Sequence, residues 1–103
     1  MNDSDIQHQL KTLHLHWEII REGSAMTHTF VFRDFIEAMQ LVNHVADYAQ
    51  EIDHHPDIFI SYNKVTITLT THATGGISEK DILLAKKIET LDTGEKEPLQ
   101  QLP

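Results

Sequence analysis

Between Lys64 and Thr71 the chain reads Lys-Val-Thr-Ile-Thr-Leu-Thr-Thr, so Val65, Ile67 and Leu69 alternate with Thr66, Thr68 and Thr70. Successive side chains of a strand point to opposite faces, so this pattern requires one apolar, covered face and one more polar face. An antiparallel sheet with helices on a single side satisfies that requirement. The rest of the chain has to supply the partner strands and the cover.

Partner strands can be read on both sides. Asp57 to Ser61 is a short strand that turns through Tyr62-Asn63 into the alternating one. Trp17 to Arg21 and Met26 to Phe32 are strand-like and are joined by Glu22-Gly23-Ser24. In the second of these, Met26, His28, Phe30 and Phe32 share one face by the two-residue repeat.

The cover comes from three helical segments. Ser4 and Asp5 can cap a short helix carrying Ile6, Leu10 and Leu13. Arg33 to Ile52 reads as the main helix, with Phe35, Met39, Val42, Ala46 and Ala49 as its buried stripe. Ile36, Leu41, Val45, Tyr48 and Ile52 widen that stripe. After the break at Gly75-Gly76, Ser78-Glu79-Lys80-Asp81 has capping-box form and opens a helix with Ile82, Leu83, Ala85, Ile88 and Leu91. The order is α-β-β-α-β-β-α, an α+β fold in which a four-stranded antiparallel sheet has three helices packed on one face. Residues 1–91 form a single domain, and 92–103, with Gly94, Pro98 and Pro103, read as a loose tail.

Size and charge then limit the function. A chain of 103 residues with 40% hydrophobic side chains supports one modest core. Its formal charge of -8, from 16 acidic against 8 basic residues, repels phosphate backbones and argues against direct binding of nucleic acid. Cysteine is absent, which excludes disulfides, thiolate ligands and a cysteine nucleophile. No stretch approaches the roughly 20 apolar residues of a membrane span. The amino terminus is acidic and lacks a signal-peptide pattern. The reading is a soluble, cytoplasmic protein without membrane association.

Chemistry concentrates in Asp53-His54-His55-Pro56 and in His72, which follows the alternating strand. Imidazole titrates near neutrality, so histidines meeting from separate segments can supply both an acid and a base. Pro56 pushes His55 towards extended backbone, which splays the two adjacent rings apart. Parity places His72 on the threonine face, away from the core, at a surface or cleft. Three histidines can also bind catalytic zinc, but adjacent splayed rings make poor joint ligands. His8, His14, His16, His28 and His44 show no ligand spacing and read as surface or locally satisfied histidines. Trp17 and the Phe30-Phe32 stripe read as core or pocket wall. Asp81 reads first as a helix-capping carboxylate, with support of a site as its second role.

Several of these segments together resemble the pterin-4a-carbinolamine dehydratase family. They are Gln50-Glu51-Ile52-Asp53-His54-His55-Pro56, Tyr62-Asn63-Lys64-Val65, Thr70-Thr71-His72, Gly75-Gly76 and Ser78-Glu79-Lys80-Asp81. Trp17 before a hairpin and Phe32-Arg33-Asp34-Phe35 opening the long helix extend the likeness, which covers roughly Leu13 to Leu91. The resemblance implies a metal-free dehydratase acting on 4a-hydroxytetrahydropterin, with the pterin as substrate and no cofactor. The hydroxyl at C4a leaves as water and the N5 proton is lost, giving quinonoid dihydropterin for recycling to aromatic amino-acid hydroxylases. By the same resemblance His54 and His72 are the acid-base pair and His55 holds and orients the pterin. Asp53, Thr70, Thr71 and Ala73 line the pocket, some through backbone groups. A homodimer or homotetramer is implied, and a hydroxylase is a candidate partner. Some members also act as dimerisation cofactors for a homeodomain transcription factor, a role that exposed apolar surface on the long helix would suit.

This sequence departs from the family pattern at two places. Gln50 stands where the family often has an acidic residue, and it can still hydrogen-bond a pterin or a histidine without a carboxylate's charge. Ile58 stands where the family often has tryptophan, which changes the edge of the pocket. Neither change removes a proton-transfer group.

Overall fold

The computed structural model describes the backbone of residues 3–100 and the side chains of residues 4–91. Its elements in chain order are α1 (Asp3–Thr12), β1 (Glu18–Ile20), β2 (Ala25–Val31), α2 (Phe35–Ile52), β3 (Asp57–Ser61), β4 (Lys64–Leu69) and α3 (Glu79–Gln100). Short 3-10 turns at Arg21–Gly23 and His72–Thr74 follow β1 and β4. The four strands form one antiparallel sheet in the order β1-β2-β4-β3. The alternating strand therefore lies in the interior of the sheet, paired to β2 through Thr27↔Thr68 and Thr29↔Thr66 and to β3 through Ile58↔Ile67.

Alternation in β4 is realised as read. Val65, Ile67 and Leu69 have no exposed surface and join a core that includes Ile6 and Leu10 of α1. Ala38, Leu41 and Val45 of α2 and Ile82, Leu84, Ala85 and Ile88 of α3 complete it, so all three helices cover the same sheet face. On the opposite face, threonines pair across strands. The Thr29 and Thr66 hydroxyls are 2.8 Å apart, and those of Thr27 and Thr68 are 3.1 Å apart. Such cross-strand pairs hold register between residues that contribute little to the core.

The long helix buries the flank of the stripe read from the sequence: of the main stripe Ala49 is buried, and Leu41 and Val45, read as widening it, face the core. Its buried residues are Ala38, Leu41, Val45 and Ala49, whereas Phe35 is 46% exposed, Ile36 is 64% exposed and Ala46 is also exposed. This helix carries more apolar residues than one face can bury, so periodicity alone does not select the stripe that meets the sheet. Asp34 fixes where the helix begins, its carboxylate accepting from the Glu37 N–H at 2.9 Å. Phe32 just before it is tied to Asn63, whose side-chain amide donates to the Phe32 carbonyl and whose own carbonyl accepts the Phe32 N–H. With the entry anchored there, Ala38 faces the sheet, and its small side chain allows close approach.

At its other end α2 stops at Asp53, which adopts the left-handed conformation with φ 54. The His54 N–H donates back to the Ala49 carbonyl and the Asp53 N–H to the Gln50 carbonyl, the double closure typical of a helix reversed by a left-handed residue. The last helix, α3, runs beyond Leu91, where the apolar pattern stops, as far as Gln100. Gly94 lowers helix propensity by roughly 1 kcal/mol relative to alanine without obliging the helix to end. Residues 101–103 of the expected tail lie outside the described residues.

Candidate acid-base site

The left-handed turn at Asp53 directs the two histidines to different surroundings. The His54 Nε2–H donates to Oδ1 of Asp81 at 2.6 Å, with the His54 side chain 11% exposed and the Asp81 side chain fully buried. His55 is exposed, and its Nε2–H donates to Oε1 of Gln50, one turn back on α2, at 2.9 Å. The splaying expected of adjacent residues in an extended segment is thus realised with two different acceptors.

Asp81 is the one buried charged or polar residue among the described residues, and all its hydrogen bonds are accounted for. Its Oδ2 accepts from the Thr71 hydroxyl at 2.7 Å and from the Ser78 N–H at 2.9 Å. The bond to Ser78 is the reciprocal half of a capping box: Ser78 caps α3, its Oγ accepting from the Lys80 N–H at 3.2 Å. Burying a carboxylate is costly unless it is well supplied with donors, and here three donors converge on it. Asp81 therefore closes the helix cap, as its sequence position suggested, and its other oxygen holds His54.

Through Asp81 the two motif segments meet. Thr71 immediately precedes His72, so one carboxylate joins the helix-end histidine to the segment that carries the other one. The strand ends at Leu69, earlier than the sequence reading. Thr71 then pairs with Gly76 across a small closed loop, the Thr71 N–H donating to the Gly76 carbonyl at 2.9 Å. His72 and Ala73 sit exposed in the 3-10 turn inside that loop, which closes at Gly75 in the left-handed region with φ 74. His72 is therefore at the surface, although a turn rather than strand parity puts it there.

The remaining candidates have internal duties. The Thr70 hydroxyl donates its hydrogen to the Ser24 carbonyl at 2.6 Å and the Thr71 hydroxyl donates to Asp81, so neither hydroxyl has a hydrogen left to donate to a ligand. The Asp53 side chain is exposed, beside the backbone turn it makes. Ile58 is half-buried and packs against the core opposite Ile67. Trp17 is core, its ring centroid 5.7 Å from His28 and 6.0 Å from Phe30. Sequence reading missed the partnership of His54 with Asp81. Its visible signal was an acidic residue at the third position of a capping box, and nothing in the spacing says what the other oxygen of that carboxylate will hold.

Among the described residues no group of three or more His, Cys, Asp or Glu side chains is arranged to hold a metal ion. None of the described helices is long and apolar enough to cross a membrane.

Comparison with known proteins gives a consistent picture. The profile of the family described as "Pterin 4 alpha carbinolamine dehydratase" matches residues 1–91. A Thermomicrobium roseum protein named "Putative pterin-4-alpha-carbinolamine dehydratase" is 55% identical over 75 residues, 73% of this chain and 78% of its own length. A protein of the same name from Thermosynechococcus vestitus is 44% identical over 91 residues, 88% of this chain and 93% of its own length. Among solved structures, a transcriptional coactivator/pterin dehydratase from Brucella melitensis superposes with a TM-score of 0.83 at 35% identity, covering 89% of this chain and 97% of that one. A pterin dehydratase-like protein identified as a RuBisCO assembly factor of the alpha-carboxysome shares the fold, with a TM-score of 0.67 at 20% identity over 78% of this chain and 93% of that one.

Proposed function

The chain belongs to the pterin-4a-carbinolamine dehydratase family, and from that premise we propose that it dehydrates 4a-hydroxytetrahydropterins by histidine acid-base catalysis, returning the pterin to aromatic amino-acid hydroxylases. The observation that carries this reading is the buried Asp81 carboxylate, which links His54 to Thr71 and so to the segment of His72.

In the proposed mechanism a neutral His54 keeps its hydrogen on Nε2, where Asp81 accepts it, and Nδ1 is left to act as the base. A carboxylate placed behind an imidazole holds its tautomer and stabilises the imidazolium that forms, the logic of a serine-protease triad. His54 Nδ1 takes the N5 proton and the N5 electron pair closes the C4a–N5 double bond. The C4a–O bond breaks as the His72 imidazolium gives its proton to the departing hydroxyl, which leaves as water. His54 has gained one proton and His72 has lost one, and exchange with solvent restores both. Positioned acid-base catalysis of this kind contributes roughly 10²–10⁴-fold. The exposed His55, with Asp53, Ala73 and the backbone of Thr70 and Thr71, holds the pterin. Purified protein is expected to accelerate loss of the 4a-hydroxy intermediate, and a wild-type rate equal to buffer would refute the proposal.

A second reading has its own observation. Phe35 and Ile36 leave an apolar face at the start of α2, which suits either contact between copies in a homodimer or homotetramer or a dimerisation cofactor docking on a transcription factor. A complex with such a partner that survives replacement of His54 and His72 is the expected sign of the coactivator role.

A further inference from the structure

We infer that Ser78 is a positioning residue for the acid-base site, acting on His54 through Thr71 and Asp81; this rests on the dehydratase reading above. The Thr71 hydroxyl has one hydrogen, and it is directed at Asp81 Oδ2 at 2.7 Å. The 2.7 Å contact between the Thr71 and Ser78 hydroxyls must then be made by the Ser78 hydrogen, with Thr71 accepting. An ionised carboxylate can only accept, so His54 donates from Nε2. Direction is thereby fixed along the whole chain: Ser78 to Thr71, Thr71 to Asp81, and His54 to the other oxygen of the same carboxylate.

Ser78 holds the carboxylate by a second route as well, since its own backbone N–H donates to Asp81 Oδ2 at 2.9 Å. One direct contact and one through Thr71 thus tie Ser78 to Oδ2 of a carboxylate with no exposed surface, whose Oδ1 holds the His54 ring. The cap of α3 and the proton-transfer site are one hydrogen-bonded structure. Chains of hydrogen bonds polarise one another in a low-dielectric interior, so loss of the outermost donor is felt at His54.

The discriminating variants separate capping from positioning. Ser78→Thr keeps both the cap and the hydroxyl. Ser78→Gly keeps a serviceable cap, since glycine is among the residues favoured at that position, but removes the hydroxyl. Thr71→Val removes the middle hydroxyl with little change of shape. The spectroscopic readout is the His54 Hε2 proton, assigned through its bond to Nε2 in labelled protein and shifted downfield by the short bond to Asp81. The kinetic readout is kcat against KM.

For Thr71→Val, which removes a hydrogen bond to a charged group, the Hε2 resonance is expected to move downfield, since a carboxylate that loses one donor accepts more strongly from the others. Its kcat is expected to fall roughly 10-fold as the ring loses its fixed angle. For Ser78→Gly, which removes a hydroxyl-to-hydroxyl bond, the same changes are expected with a kcat loss of roughly 3-fold. KM is expected to stay within about two-fold, and Ser78→Thr to restore both readouts. An unchanged resonance in Ser78→Gly and Thr71→Val, or a Ser78→Thr protein that behaves like Ser78→Gly, would overturn the inference. The resonance is measured without turnover, so an inactive wild type would refute the dehydratase reading and still leave the positioning chain open to test.

Discussion

His54 and His55 are neighbours in sequence, yet one ring is held by a fully buried carboxylate and the other by an exposed amide. The difference originates in backbone geometry. A left-handed Asp53 reverses the chain, Pro56 keeps it extended, and adjacent side chains then face opposite ways. The inner ring is built into the domain through Asp81, Thr71 and Ser78, whereas the outer ring has one partner and stays accessible. In the proposed mechanism the pair divides the labour: the fixed ring suits a proton transfer that demands precise geometry, and the accessible one suits ligand contact.

That contrast can be broken at its stronger side first. His54→Ala is expected to remove most of the rate acceleration, roughly 10²–10⁴-fold, and His72→Ala a comparable part, measured as decay of the 4a-hydroxy intermediate. His55→Ala is expected to act mainly on KM. Equal kcat losses at His54 and His55 would dissolve the division of labour.

Stability offers a second separation. Asp81→Ala strands three donors around a dry cavity and is expected to cost about 3 kcal/mol in urea denaturation, because each buried unpaired group carries its own desolvation penalty. Gln50→Met lies on an exposed helix position with similar helix propensity and is expected to change stability by less than about 0.5 kcal/mol. Its expected effect is a KM raised several-fold at constant kcat, with rescue by Gln50→Glu, whose carboxylate also accepts from His55.

The last separation is at the shared turn. Asp53→Gly relieves a left-handed non-glycine residue and is expected to stabilise the fold by about 0.5–1 kcal/mol. The ring resonances of both histidines are expected to stay in place, because the same backbone turn is retained.

Much of this architecture was legible in the residues. Alternation in Lys64–Thr71 specified the covered and uncovered faces of β4, and the element order followed from breaks at glycine, proline and asparagine. The centre of the buried face of α2 was not legible: periodicity places Ala49 in the main stripe and Leu41 and Val45 on its flank, but Phe35, Met39, Val42 and Ala46 form as apolar a stripe as the buried set of Ala38, Leu41, Val45 and Ala49. The local Asp34 cap fixes where the helix begins, and the tertiary bonds between Asn63 and Phe32 fix where that start is held against the sheet. At the site, the histidines were visible as a motif and the capping form of Ser78 to Asp81 was visible as another. That the two are one network was not legible, since a local pattern describes one oxygen of a carboxylate and the fold decides what meets the other. Gln50 shows the same limit: its lack of charge was readable, its choice of His55 was not.

The most direct test is a crystal structure with a bound, unreactive pterin. N5 is expected within hydrogen-bond reach of His54 Nδ1, about 2.6–3.2 Å, with the His72 ring on the side from which the C4a hydroxyl departs. A pterin seated away from both rings, or His54 presenting Nε2 to the ligand with its bond to Asp81 broken, would contradict the account.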